Sequence, residues 1–168
     1  MSTPELRGEK VVLVPVAGQH VAELRRILHT PEVRGRWGDE DKHPDWPFDD
    51  PESVRFAVIV DGAVRGMVQY WEETEPMYRH ASVDIFVDPA VHNRGVGRDA
   101  VGTLVRHLVH ERGHHRLTID PAADNVAAIR CYSAVGFRPV GVMRRCERDA
   151  DGRGWHDGLL MDLLAEDL

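Results

Sequence analysis

Among its 168 residues the chain has only two cysteines, Cys131 and Cys146. They form no C-x-x-C pair, which excludes a disulfide framework and the usual zinc spacings. Both read as reduced cytosolic thiols. Long apolar stretches are missing too: no run approaches the roughly 18–20 residues of a membrane span. The opening MSTPELRGEK lacks a basic start followed by an apolar core, so no secretory leader is legible and a cytoplasmic location is expected. Positive charge is scarce. Lys and Arg total 21 against 28 Asp and Glu, a net −7. That balance runs against a nucleic-acid partner, which calls for a basic stripe. No internal repeat or low-complexity linker interrupts the chain, and its length predicts one domain over residues 1–168.

The excess acid is clustered. GDEDKHPDWPFDDPE (38–52) holds seven carboxylates and one lysine, and EETE (72–75) forms a second patch. Each alone reads as a solvated loop; together their summed field would concentrate a polycation.

Apolar periodicity orders the elements. KVVLVPV (10–16) reads as a strand, and GQHVAELRRILHT (18–30) has the helical period, with Pro31 as its stop. Residues 37–52 read as a loop or a short broken helix. VRFAVIVDGAVRGMVQYWEE (54–73) is two strands joined by an Asp-Gly hairpin turn. ASVDIFVD (81–88) is a strand, 97–112 a helix with Gly113 as its cap, and HRLTID (115–120) a strand. DNVAAIRCYSAVGF (124–137) is a helix, and two final strands close the chain. The order is β-α-(loop)-β-β-β-α-β-α-β-β, an α+β or α/β class with a mixed sheet.

HNRGVGRDA (92–100) places glycines ahead of an amphipathic helix. Residues 95–100 fit G-x-G-x-x-A, but the preceding strand ends near Val87, too far upstream for the tight dinucleotide-binding turn. Simpler physics fits. A helix N-terminus offers unpaired N–H donors and partial positive charge, and Gly95 and Gly97 leave room for a diphosphate beside Arg94 and Arg98. A glycine-assisted helix start without a ligand is the alternative.

Two segments go further. IFVDPAVHNRGVGRDAVGTLV (85–105) resembles motif A of the GNAT acetyltransferase superfamily, a strand followed by R/Q-x-x-G-x-G/A and a helix. His92 and Asn93 depart from it, standing where the family usually has Arg or Gln and then Gly. NVAAIRCYSAVGF (125–137) resembles motif B through Asn125, Ala128, Tyr132, Gly136 and Phe137. The resemblance implies the GNAT fold, a central mixed, mostly antiparallel sheet flanked by helices. It also implies acetyl-CoA as cosubstrate, coenzyme A as product and no metal. Phe86, Val87, His92, Arg94, Gly95, Val96, Gly97, Arg98, Asn125, Ala128 and Tyr132 would form the coenzyme site.

It implies a chemistry as well. The strand around Phe86 and Val87 would splay from its neighbour, freeing backbone N–H groups for the oxyanion. Tyr132 would protonate the departing thiolate, because a phenol near pKa 10 is still protonated when a thiolate of about 8.5 leaves. Asp84 alternates with Val83 and Ile85 and faces the other side of its strand, where it could bind the ammonium and accept its proton. Asp120, ending the next strand, is a second candidate.

Among GNAT enzymes the likeness is strongest to aminoglycoside 6′-N-acetyltransferases, carried by IDPAADNVAAIRCYSAVGF (119–137), VRGRWGD (33–39) and GMVQYW (66–71). It implies an antibiotic-modifying activity that confers resistance, on a cationic small-molecule amine. Trp37, Gln69, Asp84, Asp120 and Asp157 would contact the acceptor. Asp39, Glu40, Asp41, Glu72 and Glu73 would complete an acidic rim, and Trp46 and Trp71 could stack on sugars. Acceptors of lysine type and protein N-termini share both motifs, and a non-catalytic acyl-CoA sensor is a third reading. A monomer or a weakly held homodimer is expected, with no nucleic acid and no membrane as partner. His107, His110, His114 and His115 lie at or near the end of one helix, where they suit its negative end better than a metal.

Overall fold

The computed structural model describes residues 2–38 and 44–168. Its strands are β1 (Leu6–Arg7), β2 (Val12–Pro15), β3 (Val54–Val60), β4 (Ala63–Glu73), β5 (His80–Val87), β6 (Arg116–Ile119), β7 (Arg138–Arg148) and β8 (Trp155–Leu164). They form one sheet in the order β1-β2-β3-β4-β5-β6-β8-β7. Every pairing is antiparallel except β5 with β6. The helices are α1 (Gly18–Leu28), α2 (Pro31–Trp37), α3 (Val96–His110) and α4 (Val126–Val135). This is the mixed, mostly antiparallel α+β sheet that the element order predicts. Among the described residues no helix is long and apolar enough to cross a membrane.

Strand alternation divides the core between the two faces of the sheet. Ala100, Val101, Leu104, Val105 and Leu108 of α3 are buried with Leu13, Phe56, Val83 and Ile85. On the opposite face Leu24, Ile27 and Leu28 of α1 pack with Met67 and Phe86. Each of these side chains larger than alanine contributes about 1.5–3 kcal/mol relative to exposure. The Asp61-Gly62 turn takes positive φ at both residues, as its sequence predicts.

Two details differ from the sequence reading. α1 ends at Leu28, and Pro31 opens α2 rather than merely stopping α1. Proline suits the first helical position because that N–H has no intrahelical partner in any case. The two-residue β1 is too short to leave a periodic signal.

Asp99, in the first turn of α3, ties the edge of the sheet to the glycine loop. Its carboxylate accepts from the amides of Glu9 (3.1 Å), Lys10 (2.7 Å) and Val11 (3.0 Å). The Lys10 side chain, fixed in that turn, donates from Nζ to Arg94 O at 2.8 Å. Asp99→Ala leaves three amides without their acceptor and should cost about 2–3 kcal/mol. That loss should appear as a lower urea midpoint at an unchanged m-value; a wild-type midpoint would contradict the assignment.

Candidate active site

β5 pairs with β4 along its whole length, from Glu73↔His80 to Gly66↔Val87. With β6 it pairs at only two positions, Ala81↔Leu117 and Ser82↔Thr118. A hydroxyl bond of 2.7 Å between Ser82 Oγ and Thr118 Oγ1 marks the last rung. Beyond it the chain leaving β6 stays with β8. Pro121 O accepts from Leu159 N (2.8 Å), Ala122 bridges Gly158, and Ala123 N donates to Asp157 O (2.9 Å). The far half of β5 therefore faces a gap.

Hydrogen-bond alternation identifies the groups that face it. Asp88 N donates to Arg65 O at 2.7 Å, on the β4 side. Alternate residues of an antiparallel strand bond the same neighbour. Phe86 and Asp84 are thus turned to β4, whereas Val87 and Ile85 present their amides to the gap. The Ile85 amide is already taken by Asp84 Oδ1 at 2.9 Å. Val87 is thus the residue whose amide is left open towards the gap, and Phe86 contributes a side chain instead. Its ring is buried edge-on against Trp37, with centroids 5.0 Å apart. At Gly66 a Cβ would lie 2.3 Å from Phe86 O, so only glycine lets β4 follow β5 here.

Below the gap the chain makes a short 3₁₀ turn, Pro89–Val91, held by buried Asp88. Asp88 accepts from Ala90 N (3.0 Å), Arg26 Nη2 (2.8 Å) and Arg65 Nη1 (3.2 Å). Burial would raise its carboxyl, but these donors outweigh it and hold it below the usual range. Gly95 then takes φ +76 at the start of α3, a left-handed conformation that costs glycine nothing. A Cβ on Gly97 would meet only Cys131 Sγ at 3.6 Å and Val87 Cγ2 at 3.8 Å, ordinary contacts. Protein packing does not demand glycine there; an incoming ligand would.

One cavity of about 1120 Å³ joins the glycine loop, the gap and an acid-lined end. It is lined by Phe86, Val87, His92, Gly95, Val96, Gly97, Arg98, Asn125, Ala128 and Tyr132 on one side and by Trp37, Gln69, Asp84 and Asp120 on the other. Arg94 is not in the lining; its carbonyl is held by Lys10. His92 donates from Nε2 to Val87 O at 2.9 Å, bracing the strand end instead of standing free for phosphate. Asn125 caps α4, its Oδ1 accepting from Ala128 N at 3.3 Å. Cys131 and Arg130 line the cavity and went unread because the helical pattern does not say which face meets a ligand.

Asp84, Asp120 and Tyr132 converge as the sequence suggests. Asp84 sits opposite Gln69 in register, and Gln69 Oε1 is buried with no hydrogen-bond partner among the described residues. Burial pushes the Asp84 carboxyl up to about 7, with Asp120 and Glu147 adding repulsion against the Ile85 amide. Asp120 is also raised, by partial burial and then by Glu147. Burial drives the Tyr132 phenol far above its usual range, and Asp84, Cys131 and Asp120 push it the same way. The phenol therefore keeps its proton.

The expected acidic rim is only partly here. Glu72 bonds Arg112 Nη2 (2.6 Å) and the buried His114, at the end of the sheet where β5 and β6 still pair. Glu73 and Trp71 are likewise absent from the cavity lining. Asp157 is outside it too: its carboxylate accepts from Arg145 N at 2.7 Å, within the β7–β8 hairpin. Asp39, Glu40 and Asp41 lie outside the described residues. Besides Asp84 and Asp120, the acid that does line the cavity comes from Glu32, Asp124, Glu147, Asp149 and Asp151. Trp46 joins Trp37 on the wall, with centroids 6.0 Å apart.

A raised carboxyl makes stability depend on pH. The folded state favours the protonated form of Asp84, so that contribution is full below about pH 4 and lost as pH rises through about 7. Asp84→Asn keeps a neutral side chain and should gain on wild type by on the order of 4 kcal/mol between those limits. Denaturant titrations at several pH values read this directly; a constant difference would contradict the burial of the charge.

Comparisons with known proteins agree with this geometry. Residues 18–137 match the model of the Acetyltransferase (GNAT) family. The [ribosomal protein bS18]-alanine N-acetyltransferase of Escherichia coli strain K12 is 35% identical over 83 residues, 48% of this chain and 52% of that one. The match thus spans about half the length of that relative. Mycobacterium smegmatis RimJ in complex with CoA-disulfide superposes with a TM-score of 0.84 at 22% identity, over 98% of this chain and 88% of that one. AAC(6')-Ib in complex with paromomycin and acetyl-CoA gives 0.76 at 19% identity, over 95% and 96%. At such identities the two structures speak for the fold alone. The match over residues 18–137 covers the splayed strand, the glycine loop and Tyr132, and the chain belongs to the GNAT acetyltransferase family.

Proposed function

We propose that the chain transfers an acetyl group from acetyl-CoA to a primary amine of a cationic acceptor, an aminoglycoside-type aminosugar acetylated at its 6′-amine. The observation that carries this reading is the single cavity in which the gap beside Val87, the phenol of Tyr132 and an acid-lined acceptor end meet. Acetyl-CoA would supply an acetyl group activated as a thioester. The cradle left by Gly95 and Gly97, with Arg98 and the N-terminus of α3, suits its diphosphate.

The chain's own groups divide the remaining work. The Val87 N–H donates to the acetyl oxygen as negative charge gathers there. Asp84, ionised above about pH 7, draws the acceptor's ammonium in and takes its proton, through water where the two do not touch. Tyr132 gives its proton to the sulfur as the bond to carbon breaks. Acetylation would remove a cation from an antibiotic of this class and so confer resistance.

A protein α-amine is the second reading. It is favoured by the likeness to the bS18-alanine acetyltransferase, and the same residues would perform the same steps. A free-thiol release assay with kanamycin, free lysine and a short alanine-terminated peptide separates the acceptors. We expect turnover with kanamycin; turnover with the peptide alone would move the reading to protein N-termini. Silence with all three, beside tight coenzyme binding, would leave an acyl-CoA sensor.

Two variants test the roles. Tyr132→Phe should lower kcat by about 10²-fold, with the KM for acetyl-CoA nearly kept. In wild type kcat/KM for the acceptor should rise with pH through about 7, and Asp84→Asn should abolish that limb along with most of the activity. Wild-type rates in both would remove them from the mechanism.

A further inference from the structure

The family match ends at residue 137, so the β7–β8 hairpin lies beyond it. That hairpin is irregular in two places, and the wider irregularity lies nearer its turn. Met143 pairs with Gly158 and Glu147 with His156, so three residues of β7 stand against Asp157 alone. Arg145 takes φ +48 within the bulge, and the Asp157 carboxylate accepts from its amide. Bulges re-aim side chains next to functional sites. Beyond this one, Glu147 lines the cavity at its acceptor end.

Glu147 is also held there. His156, opposite it on β8, has Nε2 at 3.7 Å from Glu147 Oε2. Its Nδ1 donates to Asp149 Oδ1 at 2.9 Å, which orients the ring. All three residues line the cavity. The ion pairs are partly solvated and contribute little to stability. A three-residue bulge and an oriented histidine are a large outlay for so weak a contribution, unless the position of Glu147 itself is used.

We propose that Glu147 is a specificity-determining residue that takes a second cationic group of the acceptor, and that His156 and Asp149 are positioning residues that hold it for that contact. This rests on the acetyltransferase reading above and names the substrate class: amines with a further positive charge within reach of the reacting one. Glu147 faces Asp84 of β5 and Asp120 beyond β6. The cavity is also lined by Glu32 and Arg36 of α2, His92, Arg98 of α3, Asp124, Arg130, Cys131 and Tyr132 of α4, and Asp149, Asp151 and His156 of the hairpin. Arg36 is engaged by Asp124 at 2.7 Å. Glu147 is thus available to a ligand, and its charge bears on the pH at which Asp84 ionises.

The test is steady-state kinetics of wild type, Glu147→Gln, His156→Ala and His156→Asn with kanamycin. Glu147→Gln should raise the KM for kanamycin about tenfold or more, with a smaller change in kcat and the KM for acetyl-CoA as internal control. It should also move the ascending limb of the pH profile to lower pH, because a negative charge near Asp84 is gone. His156→Ala should raise the same KM, and His156→Asn, which keeps a donor for Asp149, should recover part of the loss. A kanamycin KM untouched by Glu147→Gln would overturn the inference and leave the acetyltransferase reading intact. If wild type turns over no acceptor, that reading fails, and calorimetric binding of spermine to the coenzyme A-loaded protein decides the inference. About tenfold weaker binding by Glu147→Gln supports it. Equal binding, or none by wild type, overturns it.

Discussion

The site depends on one interruption of a hydrogen-bond ladder. Parallel pairing of β5 and β6 stops after Ser82 and Thr118, because the chain beyond Ile119 continues its bonds with β8. Had it stayed with β5, the amide of Val87 would be consumed within the sheet and no cavity would open. β5 keeps its conformation across the gap because β4 supports it from behind along every residue, at a closeness that Gly66 permits. Asp88, His92 and Asp99 then fix the strand end and the glycine loop with bonds to backbone groups. The reactive groups are thus carried on rigid elements.

Electrostatics follows from the same break. Asp84 would be an ordinary mid-strand carboxylate if solvated; at the root of the gap it loses water and gains Asp120 and Glu147 as neighbours, so its ionisation moves to near neutrality. The same surroundings drive Tyr132 in the opposite functional direction, towards a firmly held proton. The titrations of Asp84 and Tyr132 thus lie far apart, as their proposed acid–base roles require. Adding a cationic acceptor would relieve the repulsion among the acids.

Much of this was legible in the sequence. The Asp-Gly hairpin, the stripe of α3 and the alternation around Asp84 are local patterns, and each appears where expected. The two motifs located the glycine-loop half of the cavity because their residues are contiguous in the chain. The acceptor half resisted for a physical reason: its acids come from α2, the end of β6 and the β7–β8 hairpin, which only tertiary packing brings together. Acid density misled at Glu72, whose carboxylate pairs with Arg112 and His114 at the other end of the sheet. Asp157 misled because a bulge is invisible to period-two reasoning: its carboxylate holds the irregular strand, and Glu147 reaches the cavity. Phe86 was singled out with Val87, but hydrogen-bond parity, which needs the register with β4, assigns the gap to Val87 and Ile85.

A crystal structure of the chain with coenzyme A and an unreactive acetyl thioether analogue tests the central claim most directly. The account predicts the pantetheine arm lying between β5 and β6, the acetyl oxygen on the Val87 amide and the sulfur facing Tyr132. A coenzyme bound outside the gap, or an acetyl oxygen held by other donors, would contradict it.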